Sequence, residues 1–99
     1  MHYEEIVADG MLQLDIEGKI DATTSDDFQS LVLRAFTKEN SVIINLENVN
    51  YMSSAGLRAL VLGQKTAESK GGKLIIINVQ PQVKEVFRVT GFDTILDIR

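Results

Sequence analysis

The chain of 99 residues is long enough for one domain with a single core, and its 44% hydrophobic and 24% charged residues are those of a soluble globular protein. It has no Cys, which excludes disulfide frameworks, thiolate metal sites and cysteine nucleophiles, and its one His, His2, leaves a His-based dyad or a multi-His metal site almost nothing to work with. A formal net charge of −4 gives no support for a nucleic-acid partner.

Residues Tyr3 to Ala8 contain Tyr3, Ile6 and Val7 and then meet Asp9-Gly10, a short-turn signal because such turns need positive φ. Leu12, Leu14 and Ile16 then alternate with Gln13, Asp15 and Glu17, the period of a strand with one wet face. The opening therefore reads as a hairpin. Gly18 to Asp21 read as a connector. A helix follows, with Thr24 or Ser25 as its cap and Asp26 and Asp27 in its first turn, where the dipole favours negative charge. Phe28, Leu31, Val32, Ala35 and Phe36 form its apolar stripe, and Lys38 suits its end.

Val42 to Leu46 are short, β-branched and nearly continuous in hydrophobicity. They read as a strand covered on both faces or lying at the centre of a sheet. Glu47 to Asn50 read as a polar connector leading to Tyr51-Met52-Ser53-Ser54. A second helix is expected from about Ala55 to Lys70, stopped by Gly71-Gly72. Leu74 to Ile77 give another strand. Pro81 suits the first turn of a third helix, faced by Val83, Val86, Phe87 and Thr90 and ended by Gly91. Ile95, Leu96 and Ile98 make a final short strand or extended tail. The order predicts one α/β domain over residues 1–99: a mixed sheet of four to five strands, an N-terminal hairpin, βα crossovers and three main helices. No run approaches a membrane span and no leader pattern is present, so the expected location is the cytoplasm, with no membrane partner.

Enzyme templates fit poorly. Ser54 and Gly56 match half of a G-x-S-x-G elbow, but Met52 stands at the first glycine position and no His follows. Gly63-Gln64-Lys65-Thr66 lacks the spacing and the Gly-Lys pair of a phosphate-binding loop, and reads as helix surface. Glu4-Glu5 and Asp26-Asp27 read as solvated charge. No catalytic residue, metal site or cofactor is expected, and the third possibility of a small enzyme or nucleotide binder has little support.

Ser53-Ser54 sit where a strand ends and a helix begins, beside free backbone N–H groups. From spacing alone, one Ser acting as the N-cap is the simpler reading. The functional reading is a hydroxyl displayed for phosphorylation, since a phosphate there would face the positive end of the dipole. Along the second helix, Leu57, Leu60, Val61 and Gln64 can face the sheet. Ala55, Ala59, Leu62 and Thr66 fall on the opposite side, either as a docking face or under another helix of the same domain.

The order of elements, with Tyr51-Met52-Ser53-Ser54-Ala55-Gly56-Leu57, resembles the STAS domain, the family of bacterial anti-sigma factor antagonists. Gly18-Lys19-Ile20-Asp21 is similar to the family's connector after the second strand, and Val86-Phe87-Arg88-Val89-Thr90-Gly91-Phe92 to its third-helix ending. The resemblance covers essentially the whole chain and implies a binding module without catalysis of its own. It places the phosphorylated hydroxyl on Ser54, with Asp21, Ser53 and Gly56 supporting that loop. With the docking face of the second helix beside it, the expected partner-binding residues are Ser54, Ala55, Arg58, Ala59 and Leu62. Many antagonists carry an acid where this chain has Ser53, which makes Ser53 the alternative phosphosite. The implied partners are an anti-sigma factor that is also a serine kinase, bound when the antagonist is unmodified, and a phosphatase. A constitutive subunit of a larger regulatory or lipid-transport complex is the alternative that the same family offers. The oligomeric state is left open.

Overall fold

A computed structural model describes residues 1–99. The strands are β1 (His2–Ala8), β2 (Met11–Ile20), β3 (Ser41–Met52), β4 (Leu74–Ile77) and β5 (Asp97–Ile98). The helices are α1 (Ser25–Lys38), α2 (Ser54–Ser69) and α3 (Pro81–Thr90), and one 3-10 turn, Phe92–Thr94, precedes β5. Asp9 and Gly10 both take positive φ, 55° and 76°, as a two-residue hairpin between β1 and β2 requires. The expected tail is partly a strand: Asp97 and Ile98 pair in parallel with Ile75 and Ile76.

The five strands lie side by side in chain order, β1-β2-β3-β4-β5, antiparallel once and parallel thereafter. Right-handed crossovers that keep advancing in one direction place every helix on the same face. The core follows from this. Leu12, Leu14, Ile16, Val42, Ile44, Leu46, Leu74 and Ile76 face the helices and share one apolar cluster with Phe28, Phe36, Leu57, Leu60, Val83 and Phe87. Val42 to Leu46 are thus central in the sheet but roofed on one side only.

The other face carries Gln13, Asp15, Ile43, Asn45 and Ile77, all partly exposed. Ile75, although buried, stands outside the apolar cluster. Asp15 Oδ1 there accepts from Gln13 Nε2 at 2.8 Å and Asn45 Nδ2 at 3.0 Å, and Asn78 Nδ2 donates to Asn45 Oδ1 at 3.1 Å.

Two expected connectors are strand. β2 continues through Gly18 to Ile20, and β3 through Glu47 to Met52. The pairing of β2 with β3 slips twice. Asp15 and Glu17 face Asn45 and Asn48; Gly18 and Lys19 face Val49 and Tyr51. Each slip inserts one extra residue into β3, a β-bulge. The buried positions therefore run Val42, Ile44, Leu46, Val49, Met52. The spacing widens from two to three, and the alternation that marks a strand disappears.

Candidate functional site

The start of α2 is fixed from two directions. The Ser53 N–H donates to the Ile20 carbonyl at 2.8 Å, which ties the helix entrance to the end of β2. Ser53 is the N-cap: its Oγ accepts from the Gly56 N–H at 3.3 Å, satisfying one of the helix's unpaired donors. Gly56 is also a steric necessity. A Cβ there would lie 2.7 Å from Ile20 Cγ2 and 2.9 Å from Met52 Cγ, so the first turn of α2 approaches the two strand ends only because the side chain is absent.

Ser54 is then the first helical residue, one position earlier than the sequence suggests, and α2 ends at Ser69. Ser54 is exposed, and its hydroxyl enters no hydrogen bond within the chain. The cap and the displayed hydroxyl, alternatives from spacing alone, are two neighbouring residues.

Asp21 begins the turn into α1. Its Oδ1 accepts from the Thr23 N–H at 2.9 Å and the Thr23 hydroxyl at 2.7 Å. The Thr23 hydroxyl and then the Thr23 N–H hold its carboxyl below the ordinary value of 3.8. Thr24 occupies the N-cap position of α1 without a side-chain cap bond. Its hydroxyl instead donates to the Lys19 carbonyl at 2.9 Å and accepts from the Asp21 N–H at 2.9 Å. Asp21 therefore braces the segment joined through Ile20 to Ser53.

Of the proposed docking residues, Ser54, Arg58 and Leu62 are exposed and Ala55 is half-buried. Ala59 is wholly buried and belongs to the core. It leaves the docking face because α1 packs against α2 along its small residues. The closeness is plain at Gly63, where a Cβ would lie 2.9 Å from Val32 Cγ1 of α1 and 3.2 Å from Leu74 Cδ2 of β4. Val61 and Gln64, expected against the sheet, are only partly buried.

The structure sets beside Asp21 three neighbours, Lys19, Asn50 and Tyr51, to which sequence reasoning gave no role at the site. The four line a shallow depression beside the entrance to α2. Tyr51 is 51% exposed and pairs with Lys19 in the sheet register. The signal was present: a large aromatic in a segment otherwise too polar for a core. No group of His, Cys, Asp or Glu side chains is arranged to hold a metal ion, and no helix is long and apolar enough to cross a membrane.

A family model described as the STAS domain matches residues 3–99. The chain is 31% identical over 91 residues to BtrV of Bordetella bronchiseptica, named as a candidate anti-sigma factor antagonist; the match covers 91% of this chain and 78% of that protein. A crystal structure described as a candidate anti-sigma factor antagonist from Thermotoga maritima superposes with a TM-score of 0.89 at 21% identity, covering 97% and 84% of the two chains. The anti-sigma factor antagonist SpoIIAA of Bacillus, 18% identical, matches in its unphosphorylated form with a TM-score of 0.82 over 99% and 88% of the chains. Its phosphorylated form matches with a TM-score of 0.74 over 99% and 91%.

Proposed function

From the premise that the chain belongs to the STAS domain family, we propose that it is a phosphoswitchable anti-sigma factor antagonist working inside the cell. Unmodified, it binds an anti-sigma factor that is also a serine kinase; phosphorylated on Ser54, it lets go, and a phosphatase resets it. It performs no catalysis itself. The relative SpoIIAA, solved both unphosphorylated and phosphorylated, supports the idea of a two-state antagonist. The observation that carries the reading is the division of labour between two serines. Ser53 Oγ is committed to the helix cap, and Ser54 Oγ is free at the surface.

The mechanism is local. Ser54, Ala55, Arg58 and Leu62 meet the partner, and Tyr51 extends that surface. A phosphate adds about −1.5 to −2 charge at its centre. A tight contact must desolvate that charge or set it against a like charge. Either cost readily exceeds the roughly 1.4 kcal/mol that changes affinity tenfold. The helix start accepts the anion, so the fold is kept while the interface is lost.

The test is incubation with the anti-sigma factor and ATP, read by intact mass. Wild type and Ser53→Ala should gain one phosphate, and Ser54→Ala none. Ser54→Asp should fold and bind the anti-sigma factor at least tenfold more weakly. Stoichiometric phosphorylation of Ser54→Ala would move the site to Ser53. Unchanged binding by Ser54→Asp would favour a constitutive subunit.

A further inference from the structure

Arg58 stands four residues after Ser54 on α2, and both are exposed. Side chains at that spacing share one face of a helix, with Cβ atoms about 5–6 Å apart. Arg58 takes part in none of the three ion pairs of the chain, which join Lys38 to Glu5, Arg88 to Glu85 and Arg99 to Asp97. Its guanidinium is uncommitted, and no carboxylate stands in the first turn of α2 to compete for it. An anion followed four residues later by a cation is also the favourable order along a helix.

Building on the reading that Ser54 is the modified residue, we propose that Arg58 is the internal counter-ion of the Ser54 phosphate. The planar guanidinium offers paired donors matched to phosphate oxygens, which a lysine does not. Phosphorylation then alters the docking face twice: it adds an anion, and it withdraws a cation that the unmodified protein presents to its partner. Arg58 is in this sense a positioning residue for the switch. The strand end tied to α2 brings one other cation, Lys19, and one carboxylate, Asp21, which is already engaged by Thr23.

The test uses full-length protein with phosphoserine installed synthetically at position 54, so no kinase is needed. Phosphorus NMR follows the second ionisation of the phosphate, which lies near pH 6 for an unperturbed group. Arg58→Gln should raise that midpoint by about 0.3 pH unit, because the neighbouring cation no longer favours the dianion. Lys19→Gln should leave it in place. Equal midpoints with Arg58 and with Arg58→Gln, or a shift produced by Lys19→Gln alone, overturns the proposal. Failure of a kinase to modify Ser54 would overturn the preceding reading and leave this measurement intact.

Discussion

Ser53 and Ser54 are chemically identical neighbours, and the partner of each oxygen separates them. Ser53→Ala removes the cap on the Gly56 N–H and should cost about 1 kcal/mol of stability. Ser54→Ala removes an exposed hydroxyl and should stay within roughly 0.5 kcal/mol of wild type. Urea denaturation of both variants checks the pair. Asp21 gives a pH-dependent contrast. Its carboxyl is lowered on folding, so its contribution is present above the ordinary value of 3.8 and is lost as pH falls through the lower folded value. Asp21→Ala should therefore destabilise at about pH 7, and the gap from wild type should shrink toward about pH 3, as denaturant titrations at the two conditions would show. At this scale the sequence brought out the pair of serines, and the family resemblance pointed to Asp21 and Gly56, which the structure places in the turn into α1 and in the tightly packed first turn of α2. Which hydroxyl caps depends on where the first helical turn closes, and that follows from the Ser53 bond to Ile20, a contact between segments distant in sequence.

Helix α2 and strand β3 show why some elements were legible and others were not. Helices α1 and α3 declare themselves through stripes with one reading, and β4 through an unbroken apolar run. In β3 the two bulges break the alternation after Leu46, and Glu47, Asn48 and Asn50 project into solvent. A strand with no regular period and only every third residue buried, as at Val49 and Met52, is indistinguishable by composition from a loop. In α2 the ambiguity concerns small residues, which suit a docking partner and a close-packed neighbour equally. Helix α1 decides it for Ala59. Ala59→Arg would force a charge into the core and should abolish the folded population, whereas Leu62→Arg should fold and bind the anti-sigma factor at least tenfold more weakly. Circular dichroism with a binding titration separates the two outcomes. Loss of fold in Leu62→Arg, or a well-folded Ala59→Arg, would contradict this division of the helix.

Across the whole molecule, the sheet has one roofed and one open side, and stability should follow that asymmetry. Ile44 is fully buried beneath the helices, and Ile43, its neighbour in the same strand, looks the other way and is partly exposed. Ile44→Ala should cost about 2–5 kcal/mol and Ile43→Ala clearly less, by chemical denaturation. Equal costs would mean that the second face is as tightly packed as the first. The sheet order has one more consequence. Because β1 to β5 lie side by side in the order in which a ribosome makes them, no strand ever has to be threaded between two that are already in place. By Met52, three adjoining strands and the helix above them have all been synthesised. Ser54 opens the next segment, so the first turn of α2 settles onto a template laid down before it.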